Sequence, residues 1–325
     1  MKIPYNLRVK IIKSMAIYPP FSSYLSSSII GHRHHADGCV LMLHRLANRD
    51  VRRLAPNENL KVSPAYMERL ILNYKKRDIR FFSLDDVADY IVSGYKSEAP
   101  FVCFTLDDGY KDNFDIAYPI FKKYQVPFAI FVTTDFPDYK ARLWWYEIED
   151  LILSKSELRL GNGEVIQCST YKEKCDAFLY VRSLILKLDR LNFEKEYINL
   201  LNISESHARE YAKTLSMSWD DISSLASDPL CTIGGHSMTH PPFNMLSEKE
   251  LEFEVTEGCG KLERAIGKRI EHFAYPFGTS LEIGEREHSF MSRFQFKTIL
   301  TASHGYINHE TDVSRIPRVF LSESI

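Results

Sequence analysis

The stretch FTLDDGYKDNF, residues 104–114, ends an apolar run in two adjacent acids, Asp107 and Asp108, with Gly109 next. Successive residues of a strand point to opposite faces, and a buried carboxylate is costly unless it is paired or metal-bound. The pair is therefore either a solvated turn or the place where a strand opens onto a site. Further along, GGHSMTHPP sets His236 and His240 four residues apart. Two His at that spacing can hold one metal from a helical face. Here Pro241 biases His240 away from helical geometry, and Gly234 and Gly235 let the backbone turn sharply, so the pattern predicts one irregular turn. One carboxylate and two His, with water in the remaining position, form a common catalytic zinc set. Asp108, His236 and His240 would supply it, leaving Asp107 beside the bound water as proton acceptor. The bland alternative has Asp107 capping the helix that starts near Asn113, a part for which Asp112 is better spaced.

These residues need elements to position them. GCVLMLHRL (38–46), IRFFSL (79–84), PFVCFTL (100–106), PFAIFVTT (127–134), PLCTIGG (229–235), HFAYPFG (272–278), FKTILTA (296–302) and IPRVFL (316–321) read as strands. Between them lie helical patterns: 63–77 with Ser63 as cap and Pro64 at the first position, a helix from Ser83, 112–125, and a helix capped by Ser247. Strand–helix alternation implies a parallel sheet covered by helices. Seven or eight such units suggest an α/β barrel, whose site lies at the C-terminal strand ends. Four strand ends carry polar groups of catalytic type: His44, Asp107-Asp108, His236 with His240, and YPFG at 275–278. The alternation stops after residue 137. Residues 138–228, with EDLILSKSEL and CDAFLYVRSLILKLDRL, read as a mainly helical insertion or lid.

The 325 residues suffice for one large α/β domain, and 45% hydrophobic with 26% charged residues is ordinary for a globular protein. A net charge of −2 offers no global field for nucleic acid. Six cysteines without CxxC or regular spacing point to a reducing, cytoplasmic setting. No apolar run reaches the ~18 residues of a membrane span. The N-terminal segment, 1–37, starts basic but lacks the apolar stretch of a signal peptide, since Lys10 and Lys13 interrupt it and Pro19-Pro20 end it. Residues 1–20 are expected either to pack as a terminal helix or to lie as a basic amphipathic helix on anionic lipid. His32, His34 and His35 have the look of a metal cluster but read as a solvated loop.

FTLDDGY, IGGHSMTH and FAYPFG, in that order, resemble the successive signatures of the NodB-type polysaccharide deacetylases, carbohydrate esterase family 4. VLMLHRL, FFSLDDVADYI, MSWDDISSLA and SRIPRV fit the flanks, so the resemblance spans about 38–321 and is weakest in 138–215. It implies an irregular (β/α) barrel and metal-dependent removal of acetyl groups from N-acetylated sugars, with zinc as the metal or cobalt or nickel in its place. It makes Asp107 the base and Asp108, His236 and His240 the metal ligands. Tyr275, Pro276 and Phe277 line the substrate groove, with the Phe277 N–H on the oxyanion. The C-terminal motif that carries the acid His in many members is absent, and His44 in MLH takes its place as in permuted relatives. The Arg that orients the base is also missing: its position holds Ala274, and Arg318 is the expected substitute. Trp144, Trp145, Tyr146 and Trp219 are candidates for a sugar platform, against the alternative of core packing. The implied partner is an N-acetylated glycan, a cell-envelope polysaccharide or its precursor. The rivals are a deacylase or deformylase of a lipid-linked sugar and a glycan-binding homologue without turnover.

Overall fold

The computed structural model describes residues 37–94 and 97–323; the expected helix of residues 1–20 and the histidines at 32–35 lie outside them. Seven parallel strands form the centre: β1 (Gly38–Leu43), β2 (Phe101–Asp108), β3 (Phe128–Val132), β4 (Cys231–Gly235), β5 (His272–Ala274), β6 (Thr298–His304) and β7 (Ile316–Phe320). Chain order is also spatial order. β1 pairs with both β7 and β2, which closes the barrel. It is irregular: β5 meets β4 through one residue pair, Phe273 with Gly235, and the β6–β7 register shifts between Leu300 and His304.

Side-chain alternation divides each strand between two cores. Val40, Phe101, Cys103, Ala129, Phe131, Ala274, Leu300 and Ile316 fill the barrel. Leu41, Leu43, Val102, Phe104, Leu106, Phe128, Ile130, Val132 and Val319 face the surrounding helices. Both faces are therefore apolar, which is why the strands read as continuous hydrophobic runs.

The helices follow local signals. α1 (Pro64–Lys76) starts at Ser63, whose hydroxyl accepts the Tyr66 N–H at 3.2 Å. α2 (Leu84–Ser93) has a capping box between Ser83 and Asp86 and stops at Gly94, φ 68°. That cap shortens the strand expected over IRFFSL to Arg80–Phe81, because Ser83 already turns into the helix. The helix expected over 112–125 is two pieces, a π-helical turn at Asn113–Ala117 and then α3 (Tyr118–Tyr124). Pro119 explains the break: it has no N–H to give the preceding turn, and its ring crowds the carbonyl four residues back.

The segment after β3 holds α4 (Trp144–Leu153), α5 (Tyr171–Ile185), α6 (Phe193–Leu201), α7 (Glu210–Leu215) and α8 (Trp219–Ala226). EDLILSKSEL is not helical throughout. α4 ends at Leu153, and Glu157–Arg159 pairs antiparallel with Val165–Gln167. Ile148, Ile152, Leu158, Ile166, Phe178, Val181 and Tyr197 form a separate small core with Leu54. Ile222 and Leu225 of α8 instead join the barrel's outer core, so α8 packs as a barrel helix. Two further helices, α9 (Glu248–Ile266) and α10 (Glu285–Met291), cover the second half.

Candidate active site

Asp107 lies on the inward column of β2 after Phe101, Cys103 and Thr105, so alternation alone aims it into the barrel mouth. Asp108 would face outward on the same rule. Instead its φ is 80°, and Gly109 follows at 97°. That left-handed step, which Asp tolerates better than most residues, swings the second carboxylate to the same mouth. Both acids are buried, 2% and 4% exposed.

Arg318 comes from the inward face of β7 and is 1% exposed. Its Nη1 and Nη2 donate to Asp107 Oδ1 and Oδ2 at 2.7 and 2.8 Å, a bidentate pair. Its Nε donates to the Thr301 carbonyl at 2.8 Å, and Nη1 also reaches Thr105 Oγ1 at 3.2 Å. The guanidinium absent at position 274, which holds Ala, is thus supplied from another strand. Burial pushes the Asp107 carboxyl up, but Arg318 and His236 outweigh it and hold it below the usual carboxylate range.

His236 and His240 follow β4 in an irregular turn, as Pro241 predicts. Ser237 and His240 adopt φ of 64° and 61°, and the His240 N–H donates to Ser237 Oγ at 3.0 Å. The turn is fixed from α9: the Glu254 carboxylate accepts the Met238 and Thr239 N–H at 2.9 and 2.8 Å and the Thr239 hydroxyl at 2.6 Å. Four residues on, Gly258 faces the same turn, where a Cβ would come 2.9 Å from the Ser237 carbonyl carbon. Neither residue stands out in the sequence, where Glu254 is one acid among many on a charged helix.

Three ligand-type atoms, from Asp108, His236 and His240, lie within 4.8 Å of one another. His240 Nε2 is 3.2 Å and His236 Nε2 is 3.4 Å from Asp108 Oδ1, which is buried and has no hydrogen-bond partner. His236 Nδ1 lies 2.7 Å from the Ala274 carbonyl, which can only accept, so Nδ1 carries the proton. In the neutral ring, Nε2 then turns a lone pair toward a carboxylate oxygen, acceptor against acceptor. A divalent cation among these three atoms resolves that conflict. The carbonyl-bound Nδ1 is also the usual outer support of a metal-binding His.

The other expected residues divide. His44 follows β1, packs edge-on against Phe320 with ring centres 6.1 Å apart, and leaves Nδ1 buried and unpartnered. Burial pushes its imidazole below the usual 6.5, while the nearby Asp108 and Asp107 pull the other way. Asn113 donates to its carbonyl at 2.9 Å. The next residue, Arg45, is held by Asp112 at 2.7 Å and by the Tyr146 hydroxyl at 2.8 Å, so Asp112 serves this anchor and caps no helix. Phe277, φ 58°, sits in a tight turn closed by Gly278 N–H to Pro276 O at 2.6 Å, with its ring 4.7 Å from that of His240.

Two expectations for the substrate groove need correction. Tyr275 is 1% exposed and packs with Phe243 and Phe273, and Pro276 is buried, so of YPFG it is Phe277 that has surface for a ligand. Trp219 packs on the barrel core and donates its indole N–H to Asp138 at 2.9 Å, which is the core alternative. Trp144 and Tyr146 are buried as well. Trp145 is the aromatic at the site: its ring lies 6.0 Å from that of His240, and its N–H donates to the Tyr110 hydroxyl at 3.1 Å. A small cleft lined by Trp145, Phe136, Phe193, Thr239 and His240 lies beside it.

A closed (β/α) barrel with acids and histidines gathered at its C-terminal mouth defines a scaffold that many chemistries share, and the comparisons narrow it. The family model described as polysaccharide deacetylase matches residues 94–160 and 193–287. The chain belongs to the polysaccharide deacetylases, of the NodB type. No curated protein matches the sequence. The fold is similar to that of the Streptococcus pyogenes deacetylase PplD, solved with acetate, at 14% identity and TM-score 0.60 over 89% of this chain and 93% of that one. It is also similar to IcaB from Ammonifex degensii, at 18% identity and TM-score 0.55 over 88% and 92%. A third similar structure is a de-N-acetylase from Aggregatibacter actinomycetemcomitans, at 13% identity and TM-score 0.55 over 88% and 95%. At these identities the likeness is one of fold.

Proposed function

We propose that the protein removes N-acetyl groups from the amino sugars of a cell-envelope glycan or its precursor, using a divalent cation held by Asp108, His236 and His240. The observation that carries this reading is Asp108 Oδ1, buried and unpartnered between two imidazole nitrogens, with Asp107 clamped by Arg318 next to it. When bound, the cation supplies Lewis acidity, polarising an acetamide carbonyl and lowering the pKa of water from 15.7 toward ~7. Zinc suits one carboxylate and two His, and cobalt or nickel would be accepted by the same donors.

The chain's own groups do the rest. Asp107, kept ionised by Arg318, accepts a proton from the attacking water. Arg318 fixes both carboxylate oxygens, so the acceptor needs no reorganisation. The Phe277 N–H stands at the turn beside His240 to receive the developing oxyanion; loss of such a donor costs about 10²–10³ in rate. His44 carries a proton to the departing amine. Trp145 and Phe277 offer the ring surfaces on which a pyranose face packs. With Arg318 on Asp107, the missing Arg at position 274 no longer favours a binding-only homologue.

The test is acetate release from N-acetylglucosamine oligomers, before chelation, after it, and after adding back Zn²⁺, Co²⁺ or Ni²⁺. The reading expects release that disappears on chelation and returns with at least one ion. Release indifferent to chelation contradicts the metal assignment. Absence of release with every ion contradicts the deacetylase reading for this substrate class, and a lipid-linked N-acylated sugar is then the next substrate to assay.

A further inference from the structure

The cleft that reaches His240 is also lined by Arg142 and Arg190. Both guanidinia lie on the ring of Phe193, 5.4 and 4.9 Å from its centre. Arg142 gives its Nε to Glu194 at 2.9 Å. Arg190 is partly buried and forms no ion pair among the described residues. A third cation, Arg182, lies 5.4 Å from the ring of Phe277, which itself touches His240. Glu194 already offsets the charge of Arg142, so Arg190 is the guanidinium in the cleft left to take an anion.

The nearby acids do not fill that role. Glu254 is bound to the Met238 and Thr239 N–H groups of the histidine turn, and Glu250 caps α9 through Ser247. Asp135, also in the cleft, lies 3.7 Å from Lys261. Burial holds the Arg190 guanidinium below its usual basicity, and Glu254 only partly offsets this. Arg182 and Arg190 also fall within residues 161–192, the stretch between the two family-matched segments. Of the two arginines that line the cleft, Arg190 thus lies outside the family-matched segments and Arg142 inside the first.

We propose that Arg190 and Arg142 form an anion subsite in the cleft beside His240, so that the glycan this enzyme binds carries a carboxylate or phosphate next to its N-acetylated sugar. The identity of the ligand as a glycan rests on the deacetylase reading; the anion subsite rests on the cleft alone. Guanidinium forks suit both oxyanions. Trp145, which lines the same cleft 6.0 Å from the His240 ring, gives the sugar ring its platform. The neighbouring acetamide is then presented to Asp107.

Three probes separate the possibilities: neutral N,N′-diacetylchitobiose, a glucuronyl-N-acetylglucosamine disaccharide and N-acetylglucosamine 1-phosphate. Binding to the full chain is followed by calorimetry, with acetate release measured on each probe in parallel. The proposal expects at least one acidic probe to bind about tenfold more tightly than the neutral one, as for a charge-assisted contact. The two acidic arms tell carboxylate from phosphate. The preference should shrink with added salt, vanish in Arg190→Gln, weaken in Arg142→Gln and survive in part in Arg190→Lys. Equal binding of neutral and acidic probes, binding of none, or a preference unchanged in Arg190→Gln overturns it. Acidic preference without acetate release sinks the deacetylase reading and keeps the subsite; release without preference does the reverse.

Discussion

Two chemically identical neighbours, Asp107 and Asp108, are held by different partners: a guanidinium fork on one and two imidazoles on the other. Their types and order, with the HxxxH spacing, were readable in the sequence because each is a local pattern. Arg318 was readable only through the gap at Ala274, since its partner lies 211 positions away. Removing it leaves a buried carboxylate without a counter-charge, which costs about 3–5 kcal/mol. Arg318→Ala is therefore expected to lower the urea midpoint markedly and abolish turnover; an unchanged midpoint would place the guanidinium in solvent. The acid role of His44 has its own signature. His44→Gln should slow acetate release from an N-acetyl sugar by about 10²-fold or more, while sparing an aryl acetate, whose phenolate leaves without a proton. Equal losses on both substrates would remove His44 from the acid role.

At the scale of elements, the site is built from backbone that departs from the regular pattern. Asp108, Ser237, His240 and Phe277 all have positive φ, and all four border the metal-type cluster. Such strain persists where the surroundings over-determine it. Around the histidines α9 does so, through Glu254 and Gly258, and no local signal announces that a helix starting seven residues past Pro241 braces them. Alternation predicted the inward column of β2, but the turn at Asp108 depends on a single dihedral. Pro119, by contrast, was visible and still did not announce a π-helical turn, since proline marks a break without fixing its form. Gly258→Ala sets a methyl 2.9–3.0 Å from the Ser237 and Met238 backbone. The histidine turn must then shift, and metal affinity should fall about 10–100-fold, as for lost outer support. Calorimetric titration with Zn²⁺ checks this; wild-type affinity in the variant would show that α9 does not brace the turn.

For the whole molecule, the barrel class followed from seven or eight strand–helix units and the resemblance, while the arrangement of the insertion did not. Its hairpin consists of two three-residue strands, Glu157–Arg159 and Val165–Gln167, too short for periodicity to separate from helix. Its separate core places α5 and Arg182 over Phe277, a contact between segments far apart in sequence. The barrel interior and the outer core are apolar and independent of the metal-type cluster. Chelation should therefore leave the far-ultraviolet circular dichroism unchanged while lowering the melting temperature. Zn²⁺ at 100 times its Kd would restore about 2.7 kcal/mol. Loss of secondary structure on chelation would make the ion a folding element.

The central claim is that the adjacent acids divide the work, Asp108 holding the cation and Asp107 taking the proton. It is tested by bound zinc and acetate release in Asp107→Asn and Asp108→Asn, under one condition and with folding checked by melting. The account predicts that Asp107→Asn retains stoichiometric zinc and loses turnover, whereas Asp108→Asn loses zinc and turnover together. Equal zinc loss in the two folded variants, or normal turnover in Asp107→Asn, would contradict it.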